Sequence, residues 1–218
     1  MNKVMVFAAH PDDEWLGCGG TILKHLENGD EVLVVFLSDG FTSRLDFKTH
    51  SRNSASSKLM QEIGAKEPIF LGFPDQKLDA IPLIEIVRMI EKCKNDFDPS
   101  IVYTHYAHDL NIDHQITCKA VHTAFRPMPN SKLKSLNHFE VLSSTEWGYE
   151  KNFNPNLFID ISNHLTRKIE LLSFYNEEMR NFPHARSFEN VSFLAKHRGC
   201  SVGINSAEAF YSSRLIQD

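Results

Sequence analysis

The hydrophobic pattern opens with a short apolar run, Val4 to Ala9, and then breaks into the turn-like HPDDE of residues 10–14. Glycines lead from there into a helical stretch at Thr21 to Asn28. Glu31 to Leu37 (EVLVVFL) is a continuous β-branched run ending in Ser38-Asp39-Gly40, which reads as a strand. A polar loop follows, and Ser54 to Ile63 then shows helical spacing closed by Gly64. Pro68 to Gly72 reads as a third strand, Ile81 to Asn95 as a helix and Ser100 to Thr104 as a fourth strand. His114 to Ala124 reads as a further helix, entered through Asp113. Strand and helix alternating at this spacing predict an α/β fold: a Rossmann-like, mainly parallel sheet with helices on both faces.

The second half is less regular. Phe139 to Ser144 and Asn156 to Ile161 are expected as later strands. Asn163 to Tyr175 is expected as a strong helix and Ala185 to His197 as another, with a tail through Ala207 to Leu215. No repeat, low-complexity segment or linker intervenes, so residues 1–218 are expected to form a single domain.

Composition narrows the function classes. The chain has 218 residues, 42% hydrophobic and 23% charged, enough for one α/β domain with a substantial core. A net charge of −5 and the lack of any Lys/Arg run argue against nucleic acid as a partner. The apolar residues Val6 to Ala9 are too few for a signal-peptide core, and no stretch approaches the length of a membrane span. Cys18, Cys93, Cys118 and Cys200 are widely separated, with no CxxC pair, and are expected to stay reduced. The expected location is cytoplasmic. A homo-oligomer is left open.

In an open parallel sheet, ligands bind beyond the carboxyl ends of the strands. Two clusters of metal-capable side chains fall there. His10, Asp12, Asp13 and Glu14 follow the first strand; His105, His108, Asp109, Asn111, Asp113 and His114 follow the fourth. One carboxylate is enough to cap a helix. Three consecutive acids after His-Pro destabilise a turn unless a cation neutralises them. Two imidazoles and a carboxylate without a thiolate suit a catalytic zinc with an open position, and ferrous iron fits the same donors. GCGG at 17–20 fails the GxGxxG spacing because residue 22 is Ile, so these glycines are expected to let a helix pack tightly on the first strand. Trp15 is expected in the core, and His25, His50, His138 and His164 at the surface.

The segment AAHPDDEWLGCGGTI, Ala8 to Ile22, resembles the signature of the PIG-L/LmbE-like sugar de-N-acetylases. Further stretches agree in order: Arg52 opening the helix that ends in IGA, FLGFPDQKLD, NIDH at 111–114, and the closing PHARSFENVSFLAKHRGCSVGINSAEAF. The resemblance implies a metal-dependent hydrolase that removes an N-acetyl group from an amino-sugar substrate such as a nucleotide sugar, a glycoconjugate or a small-thiol precursor. It implies one Zn2+ held by His10, Asp13 and His114, with Asp12 as general base. Adjacent carboxylates suit that division, because one can turn to the metal while the other faces the attacking water. Arg52 and Asp75 match sugar-pocket positions, His184 with Arg186 is expected to approach the same pocket, and Asp113 is expected to orient a ligand imidazole or structure its loop. The chain departs from several relatives at Asn111, where they carry His, which leaves the oxyanion to Asn111, to His108 or to the metal. Ala55 departs likewise where many relatives carry Glu. The rival readings are a nucleotide-binding Rossmann-like module without catalysis and a carbohydrate O-acetyl esterase.

Overall fold

The computed structural model describes residues 1–39 and 50–217, with only the backbone described at 50 and 51. The polar loop expected after the second strand, and the side chain of His50, therefore lie outside the described residues. The first strand, β1 (Lys3–Ala8), is followed by α1 (Asp13–Glu27), β2 (Glu31–Ser38), α2 (His50–Glu62) and β3 (Ile69–Phe73). Then come α3 (Leu83–Phe97), β4 (Ile101–His105), α4 (Ile112–Ala124) and β5 (Ser135–Phe139). The remaining elements are β6 (Leu157–Asp160), α5 (Leu165–Leu171), α6 (Phe188–Cys200) and β7 (Ala207–Leu215).

The strands form one seven-stranded sheet in the order β3-β2-β1-β4-β5-β7-β6. The pairs from β3 to β5 are parallel, and β7 runs antiparallel to both β5 and β6. Side chains alternate across the sheet, as a pleated backbone requires. Val4, Val6, Val34 and Phe36 face a core with α1, whereas Met5, Phe7, Val35 and Leu37 face α3 and α4. The chain leaves β1 toward β2 and β3, then returns to β4 on the other side of β1. That reversal opens a crevice beyond the carboxyl ends of β1 and β4, where open α/β sheets bind ligands.

Three expectations are corrected. The first helix starts at Asp13 rather than Thr21 and takes in the glycines. Their packing partner is not β1: a Cβ on Gly17 would lie 2.4 Å from Cδ2 of Phe139, and one on Gly20 would lie 2.9 Å from Ile161. This helix is broken at Cys18, where φ is −144°. The amide groups of Gly20 and Thr21 beyond the break donate to the Glu208 carboxylate at 2.9 and 2.6 Å, and Lys168 Nζ neutralises it at 2.6 Å. Second, the strand expected at Phe139 to Ser144 is β5, four residues earlier in its start; Asn137 and His138 are buried polar residues that hide it from an apolar count. Third, the long helix expected to Tyr175 ends at Leu171 and continues as 3-10 turns, Leu172–Glu178, with Tyr175 outside helical geometry. The Tyr175 hydroxyl lies 2.6 Å from Glu14 Oε1 and 2.7 Å from Ser56 Oγ, contacts that fix the ring away from a regular helical course.

Candidate active site

Two hydrogen bonds from Ser38 hold the Ala9 carbonyl, the amide at 2.9 Å and Oγ at 2.8 Å, while the Ala9 amide donates to His105 Nε2 at 2.8 Å. The turn after β1 is thereby tied to both neighbouring strands. Asp12 sits in it at φ 121°, a conformation rare outside glycine, and its amide donates to Glu14 Oε2 at 3.0 Å. Burial pushes Glu14 up to about 8, against the opposing hydrogen bonds from Tyr175 and the Asp12 backbone.

The turn brings His10 and Asp13 onto His114, in the first turn of α4. His10 Nδ1 lies 3.1 Å and His114 Nε2 3.2 Å from the same oxygen, Asp13 Oδ2. The other oxygen, Asp13 Oδ1, is buried without a hydrogen-bond partner among the described residues, and Arg186 lies 4.0 Å from it. Nδ1 of His114 lies 3.2 Å from Asp109, which also accepts from Thr145 Oγ1 at 2.6 Å and from Ser144 Oγ. Nε2 of His10 lies 3.1 Å from Asp113 and 3.0 Å from Asp75. Each imidazole is thus backed by a carboxylate, the arrangement that fixes the tautomer of metal-binding histidines. His105 stacks on His114 with ring centroids 3.9 Å apart, and burial holds it well below the usual imidazole range, so it is a neutral spacer.

Chemically, His10, Asp13 and His114 suit a divalent metal. Their ligand atoms lie within 4.8 Å of one another, the donor set is that of a hydrolytic zinc, and Asp13 Oδ1 has a free lone pair. A second group of similar spacing, His10, Asp75 and Asp113, suits one less well. There Asp113 already accepts the amides of Gln76 at 2.8 Å and Leu78 at 3.1 Å.

Asp12 stands apart from this group. Its Oδ2 accepts from Arg186 at 2.7 Å, with Arg52 at 3.5 Å. Burial lifts Asp12 above its ordinary range; Arg186 and Arg52 pull it down, and Asp13 pushes it up. Arg52 also pairs with Glu178, at 2.8 Å from Nε and more closely from its terminal nitrogen.

His10, Asp12, Arg52, Asp75, Asn111 and His184 all line one polar cleft of about 380 Å³. Within it the structure redistributes some expected contacts. Asp75 faces the His10 imidazole, and Asn111 caps α4 by accepting the Asp113 amide at 2.8 Å. His184 is exposed and accepts the Arg186 amide at 3.0 Å, while Arg186 itself reaches Asp12. His108 lies 3.2 Å from Glu150 and lines a neighbouring cleft rather than this one. Two contacts that no sequence motif announces complete the site: Gln76, 3.2 Å from His10 Nε2, and the pairing of Asp109 with His114. Trp15 is fully buried, as expected. Contrary to expectation, His138 is 2% exposed, and His25 is half-buried between Asp30 and Tyr103, at 2.9 Å from each. His164 is half-buried too, against Glu27.

Residues 5–125 match the family described as GlcNAc-PI de-N-acetylase, PIG-L, which is more than half of the chain. The chain belongs to this family. Among curated relatives, a probable N-acetyl-alpha-D-glucosaminyl L-malate deacetylase 2 of Bacillus anthracis is 28% identical over 139 residues, 59% of this chain and 62% of that protein. The chain thus spans just under two thirds of that relative's length. The diacetylchitobiose deacetylase of Thermococcus kodakarensis is 27% identical over 195 residues, 82% of this chain and 70% of that protein. Among solved structures, N,N'-diacetylchitobiose deacetylase from Pyrococcus horikoshii superposes with a TM-score of 0.80 at 19% identity, covering 98% of this chain and 84% of that one. The hydratase GalB of Pseudomonas putida superposes with a TM-score of 0.77 at 20% identity, covering 100% of this chain and 99% of that one. A hydratase on the same scaffold means that fold alone does not choose the reaction. For this PIG-L family chain, the family match carries the link to sugar N-deacetylation.

Proposed function

We propose that the protein is a zinc-dependent hydrolase that removes the N-acetyl group of an N-acetylglucosamine-containing substrate. The observation that supports this most is the meeting of His10, Asp13 and His114 beside a separate carboxylate, Asp12, at the wall of a polar cleft. The two curated relatives named above are a probable N-acetyl-alpha-D-glucosaminyl L-malate deacetylase and a diacetylchitobiose deacetylase, and hydroxyl-rich sugars suit a cleft lined by Arg52, Asp75, Asn111 and His184.

His10, Asp13 and His114 would hold the metal, which when bound supplies Lewis acidity and lowers the pKa of water. Asp12 takes the proton of the attacking water as that water adds to the acetamide carbonyl. When the C–N bond breaks, Asp12 returns the proton to the leaving nitrogen, so that acetate and the free amine result. Arg186 and Arg52 pull the Asp12 pKa down against the larger effect of burial, and so favour its carboxylate form between turnovers. Asn111 lines the cleft with its side-chain oxygen engaged by the Asp113 amide, so its amide nitrogen is the group that would serve as a neutral oxyanion donor. Asp113 and Asp109 position the two imidazoles.

We read residues 1–218 as one domain acting in a reducing, cytoplasmic compartment, a reading supported by four unpaired cysteines. No helix among the described residues is long and apolar enough to cross a membrane. The test is release of free amine, read with fluorescamine, from a panel of N-acetylated sugars with and without chelator. Amine release that chelation abolishes and zinc restores supports the proposal. No amine from any N-acetyl sugar with zinc present, while an O-acetylated sugar is cleaved, overturns it in favour of an esterase. Tight nucleotide retention without metal dependence overturns it in favour of a binding module.

A further inference from the structure

A second group of metal-ligating side chains lies away from the catalytic cleft, between α4 and β5. Cys118 and His122 stand one turn apart on α4, so both face the same way. His138 comes to them from β5. We propose that Cys118, His122 and His138 form a second zinc site, with one thiolate, two imidazoles and a fourth position open to the cleft beside Tyr106 and Tyr211.

Nε2 of His122 and Nε2 of His138 lie 3.0 Å apart, with their rings tilted by only 7°. One ligand atom from each of Cys118, His122 and His138 lies within 4.8 Å of the others, and the Cys118 sulfur packs against the His138 ring, 3.6 Å from Nδ1. Zinc bonds of about 2.0–2.1 Å to nitrogen and about 2.3 Å to sulfur place ligand atoms roughly 3.3–3.6 Å apart in a tetrahedron. The 3.0 Å between the two Nε2 atoms and the 4.8 Å limit on the whole group bracket that size.

The protonation pattern suits a cation. His138 Nδ1 lies 2.8 Å from the His105 carbonyl oxygen, which can only accept, so the proton sits on Nδ1 and the Nε2 lone pair faces His122. A carbonyl behind the far nitrogen is how metal-binding imidazoles are commonly oriented. A hydrogen bond between the rings, with Ser213 Oγ 2.9 Å from His138 Nε2, accounts for the imidazoles alone but leaves the neighbouring thiol unexplained. Cys118 is a buried free cysteine, with its sulfur protonated in the absence of a cation. Metal binding releases the thiol proton to solvent and leaves the sulfur anionic on zinc. Sulfur and imidazole donors favour zinc over magnesium or calcium. His122 and His138 line a cleft of about 450 Å³ at the surface, which provides the entry path.

Cobalt(II) titration of the chelator-stripped protein tests this directly. Thiolate bound to cobalt gives a near-ultraviolet charge-transfer band, and His10, Asp13 and His114 cannot produce one. The band is expected to saturate by two equivalents in total, since the catalytic ligands also take cobalt, and at one equivalent in His114→Ala; it should resist excess magnesium and disappear in His122→Ala, whose side chain is at the surface. It is expected to survive in His114→Ala, so a failure of the catalytic-site reading leaves this one standing. Absence of the band at saturating cobalt overturns the site, and a band that persists in His122→Ala overturns this ligand set.

Discussion

Replacing Gly17 with Ala tests whether close packing behind the cleft sets the geometry of the candidate ligands. The new Cβ would lie 2.4 Å from Phe139 Cδ2, 2.7 Å from Cγ and 3.1 Å from Cβ. Carbon atoms pack best at about 3.5–4.0 Å, so the ring must retreat by roughly 1 Å. It has little room: Phe139 is fully buried, and its backbone is paired with His105 on one side and Phe210 on the other. Overpacking of this kind costs about 1–3 kcal/mol. An overlap this deep belongs in the upper part of that range, about 2–3 kcal/mol, and removing a helical glycine returns about 1 kcal/mol, for a net loss of roughly 1–2 kcal/mol. In a chain of this size about 1 kcal/mol moves Tm by about 2–4 °C, so Tm should fall by roughly 2–8 °C. The displaced ring also bears on the site, because Phe139 meets His105 edge-on at 4.7 Å and His105 stacks on His114 at 3.9 Å. Thermal melts followed by circular dichroism, with zinc competition against a fluorescent chelator, measure both effects. Adding Phe139→Leu should relieve the clash and make the pair non-additive. A Gly17→Ala protein with unchanged Tm and zinc affinity would refute this account.

The remaining predictions concern charge. Asp12→Asn should keep its metal but lose about 10²–10⁴-fold in kcat, since the amide cannot take a proton; Asp13→Asn should lose metal affinity instead, and the reverse pattern would exchange their roles. Arg186→Met removes a cation that lowers the Asp12 pKa, so the acidic limb of the pH–rate profile should move to higher pH. A limb that stays put or moves down would exclude Asp12 as the titrating base. Glu208→Ala strips the carboxylate from two amides of α1 and leaves Lys168 buried without its partner, which should destabilise by about 3–5 kcal/mol in denaturant melts. An unchanged midpoint would show that solvent replaces it.

The alternation of strand and helix through residue 124 could be read in advance because each parallel strand is a continuous apolar run and each helix an apolar stripe. The HPDDE and NIDH segments could also be read as candidates, since the carboxyl ends of β1 and β4 must open at one edge once the sheet is parallel. What periodicity could not register is a polar residue satisfied inside the fold. His138 looked like a surface residue because its partners, the His105 carbonyl, His122 and Ser213, come from three other segments. Glu208 caps a helix that lies 187 residues away in the chain. Arg186 reaches Asp12 across 174 residues. Local sequence determines which backbone conformation and which face are favourable, because those depend on neighbours along the chain. Which charge neutralises which, and which imidazole nitrogen keeps its lone pair, depends on contacts that exist only after the chain has folded.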